Sequence, residues 1–264
     1  MQLNESQISQ FDQQGYLFFP ELLDTDEVTA LQKAMPAILD RRGPEIVCET
    51  DDPTAVRLAF GAHTYSDAFR RLMRLPCLLN PVRQLLGEDV YLHQSRLNPK
   101  HGFAGGASWD WHQDYPPWNK IDGMPQPMCI MTAIFIDDCS VARSPLLIVP
   151  GSQRHGLLDS EPHPDTAGKE YALHHIDQVT LKSLAADHGI EALVGPAGSV
   201  AFIHCNVVHG SANNVSPWQR AIMYLIYNAV DNACTGTDRA WYHNNRDFSA
   251  LLPLDDNCLK TQGK

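Results

Sequence analysis

Residues 199–211 read Ser-Val-Ala-Phe-Ile-His-Cys-Asn-Val-Val-His-Gly-Ser, a largely apolar run that ends at a histidine. A short apolar run between turn residues predicts a buried strand, here Ser199–Val208. Similar runs begin after Asp89 and are separated by turns such as Pro150-Gly151-Ser152; they cover Val90–Asn98, Ser108–Asp114, Met128–Ile136, Leu146–Val149 and Ala221–Val230. Several short strands at this spacing predict an antiparallel sandwich or barrel.

The region before these strands predicts helices. Asn4 and Gln7 have the spacing of a capping box, and a second helix is capped by Asp24 or Thr25. A third helix is predicted over Asp67–Leu86. We therefore expect one mainly β domain with flanking α-helices over residues 1–264: a helical part at about 1–88, a β core at about 89–232 and an irregular C-terminal tail.

The charge balance excludes two classes of partner. The chain carries 31 acidic and 20 basic side chains, a formal net charge of −11. Nucleic acids and anionic membrane surfaces both attract clustered Lys and Arg, so neither is expected as a partner. No stretch approaches the roughly 18 apolar residues that span a bilayer. The seven cysteines include no Cys-x-x-Cys pair and the N-terminus lacks signal-peptide features, which predicts a reducing, cytoplasmic setting.

Three His-x-Asp motifs are candidates for metal binding: His112–Asp114, His163–Asp165 and His175–Asp177. Chance alone produces about one such motif in a chain of this composition, so context has to distinguish them. The second and third lie in the polar, acid-rich segment 156–188, where a solvated loop is the expected structure. A segment of that length between elements is often functional, for example as a lid.

His112–Asp114 lies in the aromatic run Trp109–Tyr115, and aromatic walls around a polar pair are typical of a small-molecule pocket. On a strand, side chains two residues apart share a face, so His112 and Asp114 are expected to converge. With a second histidine they would form the facial triad that binds Fe(II) and leaves positions open for oxygen. His209 is the candidate third ligand, with a hydrogen-bonded edge histidine as the alternative. His204 lies mid-strand, where a packed neutral histidine is the simpler interpretation.

Two further strands carry polar residues at alternate positions. Arg220 shares a face with Ile222, and an inward-facing arginine needs an anion or another acceptor. The alternative is an arginine at the rim, paired with an acidic residue. Gln94, Arg96 and Asn98 share one face of their strand, which points either to solvent or into the pocket.

Several of these motifs occur together in one known family. A resemblance to the phytanoyl-CoA dioxygenase-like family is carried by Trp111-His112-Gln113-Asp114, by Leu146–Ser152, and by His209-Gly210-Ser211 followed by Asn213 and Arg220. Its members are Fe(II)- and 2-oxoglutarate-dependent oxygenases on a double-stranded β-helix, the jelly-roll or cupin-like fold. Similarity to the subgroup of ectoine hydroxylases and bacterial trans-4-proline hydroxylases is carried by Val90–Arg96, His112–Tyr115, Trp118, Asp122–Pro125 and Tyr227–Val230.

The resemblance implies a role for each candidate residue. Fe(II) would be held by His112, Asp114 and His209, with 2-oxoglutarate and O2 as cosubstrates. The cosubstrate 2-oxoglutarate would be bound at its distal carboxylate by Arg220 and Ser211 and oriented by Gln94 and Asn98. The prime substrate would contact Arg96, Tyr115, Trp118, Ile222 and Tyr224. An aspartate in the triad also argues against the halogenase branch, where a small residue makes room for halide.

The resemblance favours hydroxylation of a small, carboxylate-bearing substrate, such as a free or cyclic amino acid, coupled to conversion of 2-oxoglutarate to succinate. A second inward arginine suits such a substrate, because Arg220 is already assigned to the cosubstrate. The alternatives are tailoring of a larger or carrier-linked amino acid, and a non-catalytic binding domain without iron. Two departures bear on the substrate: Arg143-Ser144-Pro145-Leu146 replaces the family's Asn-Gly-Pro-Leu, and the N-terminal stretch of ectoine hydroxylases is not evident. A monomer or homodimer is expected.

Overall fold

The computed structural model describes residues 1–103, 106–162 and 174–260. Its helices are α1 (Glu5–Gln14), α2 (Thr25–Leu39), α3 (Ala62–Tyr65), α4 (Asp67–Leu72), α5 (Pro76–Leu86), α6 (Tyr115–Lys120) and α7 (Gln178–His188). Its strands are β1 (Tyr16–Phe19), β2 (Ile46–Cys48), β3 (Val56–Phe60), β4 (Val90–Lys100), β5 (Trp109–His112), β6 (Cys129–Phe135), β7 (Leu146–Ile148), β8 (Glu161–Pro162), β9 (His174–His175), β10 (Glu191–Leu193), β11 (Val200–His204), β12 (His209–Ser211) and β13 (Arg220–Ala229). Short 3-10 helices cover Ser152–His155 and Val230–Asn232.

The strands form two antiparallel sheets, which confirms the mainly β prediction. The larger sheet has the order β1-β11-β6-β13-β4-β3-β2, and the smaller has the order β10-β7-β12-β5-β9-β8. Alternation along β13 separates its two faces. Ile222 and Tyr224 belong to the core shared with β7 and β10 of the smaller sheet, whereas Met223 and Leu225 pack with the N-terminal helices. The N-terminal helices therefore flank the outer face of the larger sheet, and its inner face lines the space between the sheets.

The predicted strand Ser199–Val208 is wrong in its length. Strand β11 stops at His204, and residues 205–208 form a turn before β12 begins at His209. The two strands lie in different sheets: β11 pairs with β1 and β6, whereas β12 pairs with β5 and β7. Because the chain changes sheets at this turn, His209 lies directly opposite His112 in the β12–β5 pair.

Helices α1 and α2 begin at the capping residues that the sequence predicted. Asn4 and Gln7 form a capping box on α1, and Asp24 forms one with Glu27 on α2. The single helix predicted over residues 67–86 is wrong, because α4 and α5 are separate. Pro76 is the first residue of α5, and a proline there disfavours a helical conformation of the residue before it, so the chain is extended at Leu75.

The C-terminal region is irregular from Ala233 to Lys260. The amide of Leu251 donates to the carbonyl of Val90, and the amide of Asn245 donates to that of His93. The C-terminal region therefore covers the first residues of β4, from Val90 to His93. Among the described residues, no helix is long and apolar enough to cross a membrane.

Candidate metal centre and cavity

Three side chains from two strands and a turn converge between the sheets. His112, Asp114 and His209 are all buried, and their potential ligand atoms lie within 4.8 Å of one another. The Nε2 atoms of His112 and His209 lie 3.7 and 3.9 Å from the Asp114 carboxylate oxygens. A cation with metal–ligand distances of about 2.1 Å can contact two donors up to about 4.2 Å apart, so both separations suit a shared ion.

Backbone acceptors orient both imidazole rings. Nδ1 of His112 lies 2.6 Å from the carbonyl of Asp110, and Nδ1 of His209 lies 2.9 Å from that of Val207. Since a carbonyl can only accept, each Nδ1 carries a proton, and in the neutral ring Nε2 then presents its lone pair to the site. Burial and the neighbouring His112 lower the pKa of His209 to about 4, which keeps this ring in the neutral form that binds metals.

Asp114 reaches the site differently from the prediction. Strand β5 ends at His112, and Asp114 is the residue before α6, with φ −80° and ψ −26°. The two side chains therefore converge through a turn, rather than through the alternation of one strand. Burial by itself raises the pKa of Asp114, but the charge of Arg96, aided by His112 and His209, holds this pKa well below its ordinary value.

Arg96 is paired with the carboxylate of the candidate triad. Its Nη2 donates to Oδ2 of Asp114 over 2.5 Å, and its guanidinium lies 5.3 Å from the ring centre of Tyr224. Arg96 also lines the cavity, as expected for a substrate contact. The pairing gives Arg96 a second role that the sequence did not predict, namely fixing the orientation of the Asp114 carboxylate between the two imidazoles.

We expect Arg96→Met to weaken Fe(II) binding about 10- to 100-fold, the usual cost of removing a partner that orients a metal ligand. Anaerobic Fe(II) titration measures the effect. The matched control is Arg83→Met, which removes the exposed ion pair with Asp89 and should leave Fe(II) affinity unchanged. Equal Fe(II) affinities for Arg96→Met and wild type would contradict the positioning role.

An open cavity lies over the three side chains. Most of the predicted site residues line it, together with aromatic and apolar side chains: Leu58, Phe60, Gln94, Arg96, Asn98, Trp109, His112, Gln113, Asp114, Pro117, Trp118, Leu146, His174, His209, Gly210, Ser211, Tyr224 and Arg239. Polar groups and several aromatic and apolar side chains therefore share one cavity wall, which is typical of a small-molecule site.

Arg220 lies one layer below this cavity. It is 1% exposed, and its Nη1 donates to Oδ1 of Asn98 over 3.2 Å while its Nε donates to the carbonyl of Ser144. Asn98 and Ser211 line the cavity above it. Arg220 thus faces inward, as the alternation along β13 predicted. It contacts Asn98, one of the two residues that were predicted to orient the cosubstrate.

Two predicted substrate contacts lie away from the cavity wall. Tyr115 is buried with its hydroxyl donating to the carbonyl of Met124, and Ile222 is fully buried in the core between the sheets. Neither is among the cavity-lining residues. Tyr115 is directed away by the turn into α6, and Ile222 is covered by its neighbours in the core. Trp118 and Tyr224 do line the cavity, so their contact with substrate stays a prediction.

The other two His-x-Asp motifs, His163–Asp165 and His175–Asp177, are not part of the candidate metal centre within the described residues. Asp177 caps α7 by accepting hydrogen bonds from the amides of Val179 and Thr180, and His175 lies on β9 with its backbone opposite His112. The motif His163–Asp165 lies outside the described residues, as does part of the segment predicted as a lid. His174, from that segment, lines the cavity.

Two charged residues near the cavity were missed from sequence. Arg239 lines the cavity, although it belongs to the irregular C-terminal region. The sequence of that region has no periodic pattern from which its position could be predicted. Lys100 continues the alternation of Gln94, Arg96 and Asn98, and that pattern could have identified it. It lies below the cavity with its Nζ 2.8 Å from Oγ of Ser211.

Residues 11–222 match the family model described as phytanoyl-CoA dioxygenase. The chain belongs to the phytanoyl-CoA dioxygenase family. L-proline trans-4-hydroxylase from Streptomyces griseoviridis is 33% identical over 258 residues, which cover 94% of this chain and 95% of that enzyme. Ectoine dioxygenase from Bordetella parapertussis is 36% identical over 271 residues, covering 96% and 86%. Among solved structures, EctD from S. alaskensis with 2-oxoglutarate and 5-hydroxyectoine superposes with a TM-score of 0.82 at 32% identity, covering 96% of this chain and 87% of EctD.

This family member is an Fe(II)- and 2-oxoglutarate-dependent dioxygenase, and Fe(II), 2-oxoglutarate and O2 are its cofactor and cosubstrates. The convergent His112, Asp114 and His209 fit that cofactor in donor type and spacing. The non-haem, α-ketoglutarate-dependent carbocyclase SnoK and epimerase SnoN from nogalamycin biosynthesis, at 21% and 19% identity, share the fold. The double-stranded β-helix predicted for the core is thereby confirmed.

Proposed function

We propose that this enzyme hydroxylates a small substrate bearing a carboxylate, a free or cyclic amino acid, with Fe(II) held by His112, Asp114 and His209. The relatives named L-proline trans-4-hydroxylase and ectoine dioxygenase cover nearly the whole chain, which supports a substrate of that size. The observation that carries the proposal is a charged residue of this chain, Arg239, at the wall of the same cavity as the triad.

Arg239 is held in place by a buried carboxylate. Its Nη1 donates to Oδ2 of Asp122 over 3.0 Å, and Asp122 is fully buried. Nε2 of His93 lies 3.3 Å from the same oxygen, and burial lowers the pKa of His93, which favours the neutral ring. The ring of His93 also packs edge-on against Trp118, which lines the cavity. This network holds a planar guanidinium, the group that binds carboxylates bidentately, beside an aromatic wall.

A different set of polar residues is assigned to the cosubstrate 2-oxoglutarate. Arg220 and Ser211 bind the distal carboxylate of 2-oxoglutarate, with Gln94 and Asn98 orienting it. When bound, Fe(II) supplies the oxygen activation and couples hydroxylation to decarboxylation of 2-oxoglutarate. The chain's own part is to hold both carboxylates, and Trp118 and Tyr224 restrict the space beside the metal.

An anaerobic screen tests the proposal directly. Enzyme loaded with Fe(II) and 2-oxoglutarate is mixed with individual amino acids, including proline and ectoine, and the absorption band of the complex is recorded. A perturbation by one compound, followed in air by formation of one succinate per hydroxylated product, is the expected result. An unperturbed band for every small carboxylate, with a response to a larger or carrier-linked amino acid, would contradict the proposed substrate class.

We expect Arg239→Met to raise the KM of the carboxylate substrate about 10- to 100-fold, since a hydrogen bond to a charged group contributes about 1.5–3 kcal/mol. The dissociation constant of 2-oxoglutarate should stay as in wild type, because Arg239 belongs to the substrate side. Steady-state kinetics and 2-oxoglutarate titration separate the two effects. Arg154→Met, at an exposed arginine, is the control. A change in 2-oxoglutarate affinity with an unchanged substrate KM would reverse the assignment.

A further inference from the structure

Gln113 lies between two of the proposed metal ligands, and its carboxamide is bonded to two distant parts of the backbone. The residue is 2% exposed. Its Nε2 donates to the carbonyl of Asn206 and to the carbonyl of Gly156, each over 2.8 Å. Its Oε1 accepts from the amide of Leu158 over 2.9 Å. One buried side chain therefore joins the turn that follows β5 to two other segments.

The bond to Asn206 reaches the turn that precedes His209, the third proposed ligand. The carbonyl of Val207 in this turn orients the ring of His209. The carbonyl of Cys205 accepts from the amide of Tyr115 over 3.3 Å, which is a second link between the same two turns. Loss of the bond from Gln113 is therefore expected to change how the two turns are spaced, and with it the spacing of the ligands that they carry.

The bonds to Gly156 and Leu158 hold the segment 156–162 against the same turn. Leu158 also packs on a small apolar cluster that includes Val208, next to the turn before β12. Strand β8 of this segment pairs with β9, and β9 contributes His174 to the cavity wall. Gln113 thus also fixes the part of the chain that supports one side of the proposed substrate cavity.

This arrangement requires a carboxamide. A primary amide presents N–H donors on one atom and an acceptor on the other, which matches the two carbonyls and the one N–H that surround Gln113. A carboxylate of the same shape has only acceptors, so both carbonyls would lose their donor and face a negative charge. Buried acceptors that lose their donors are costly. Gln113→Glu therefore changes the chemistry of the contact while keeping its size.

We propose that Gln113 is a positioning residue. Its carboxamide holds the turn that carries Asp114, the turn that precedes His209 and the segment 156–162 in one arrangement, so that Fe(II) affinity and substrate affinity both depend on it. The inference rests on the proposed function, because Asp114 and His209 are the proposed iron ligands. It deepens that function by adding a residue that acts through the backbone of its neighbours.

Anaerobic Fe(II) titration of Gln113→Glu and Gln113→Met tests the metal side of this inference. Both variants lose the two N–H donors, so the dissociation constant of Fe(II) should rise about tenfold, the lower end of the range for groups that orient metal ligands. Hydrogen exchange of the metal-free proteins gives a second readout that needs no activity. Peptides covering residues 156–162 and 203–209 should exchange about tenfold faster than in wild type, with α5 unchanged.

Steady-state kinetics at saturating Fe(II) test the substrate side. The substrate KM of both variants should rise about 3- to 10-fold, because the segment 156–162 is no longer held beside the cavity. A purely structural role would instead lower the fraction of folded enzyme, and hence the apparent kcat, without moving KM. Gln153→Glu is the matched control, since Nε2 of Gln153 donates to the carbonyl of Asp12 over 3.0 Å and Gln153 is not among the cavity-lining residues.

Gln113→Asn keeps the carboxamide on a shorter side chain, and it decides the question if the other two variants fail to fold. It cannot span all three bonds, so effects between those of wild type and Gln113→Met are expected. Wild-type Fe(II) affinity, exchange rates or KM in a folded Gln113→Met, or in Gln113→Asn where that variant alone folds, would overturn this inference alone. A wild type that responds only to larger substrates would overturn the proposed substrate class, whereas the iron titration and the exchange rates would still decide the role of Gln113.

Discussion

Replacing His112 with alanine is expected to abolish turnover and to weaken Fe(II) binding at least about 100-fold. Metal sites with four ligands bind with about 10–16 kcal/mol, so one ligand contributes roughly 3 kcal/mol. His112 presents Nε2 to the site because its Nδ1 donates to the carbonyl of Asp110. Alanine removes that donor and leaves the backbone of β5 unchanged. Fe(II) stoichiometry of the anaerobic protein and substrate-stimulated succinate formation measure both consequences.

The matched control is His175→Ala, which removes the histidine of another His-x-Asp motif on a neighbouring strand. His175 lies opposite His112 in the β5–β9 pair but is not one of the three converging side chains. The His175→Ala variant should retain one Fe(II) per chain and most of the wild-type activity. Unchanged succinate formation in His112→Ala would contradict the proposed metal centre. Loss of iron in both His112→Ala and His175→Ala would indicate a general disturbance of the smaller sheet.

The second large effect is expected for Arg220→Leu, which should raise the dissociation constant of 2-oxoglutarate at least about 100-fold. Arg220 is buried, and it is fixed by hydrogen bonds to Asn98 and to the carbonyl of Ser144. Its removal deletes a charged hydrogen-bond donor, worth up to about 3 kcal/mol, and also leaves Oδ1 of Asn98 without the donor that Arg220 supplies. Titration with 2-oxoglutarate under anaerobic conditions measures the loss.

Arg220→Lys separates the charge from the shape of the guanidinium. A lysine retains the charge but not the bidentate geometry, so an intermediate affinity is expected. Far-ultraviolet circular dichroism shows whether each variant is folded, and Arg42→Leu, at an exposed arginine, serves as the control. A folded Arg220→Leu that binds 2-oxoglutarate like wild type would exclude Arg220 from the cosubstrate site.

The helical caps and the strand pattern could be predicted because their signals are local. Asn4 and Asp24 bond to amides within three residues, and the alternation along β4 and β13 follows from strand geometry alone. The boundary at His204 could not be predicted in the same way. The apolar residues of 205–208 are buried whether the chain continues or changes sheets, so hydrophobicity contains no signal for the turn.

Residue identity and spacing in the sequence were sufficient to select His112, Asp114, His209 and Arg220 as candidates, because ligand chemistry and strand periodicity depend on the residues themselves. The tertiary structure decided which charges meet. It pairs Arg96 with Asp114, leaves Lys100 opposite Arg220, and brings Arg239 from the tail to the cavity wall. The physical reason is that the energy of a buried charge depends on the groups across the sheet and in the covering tail. Those neighbours are distant in the chain, and only folding sets their distances.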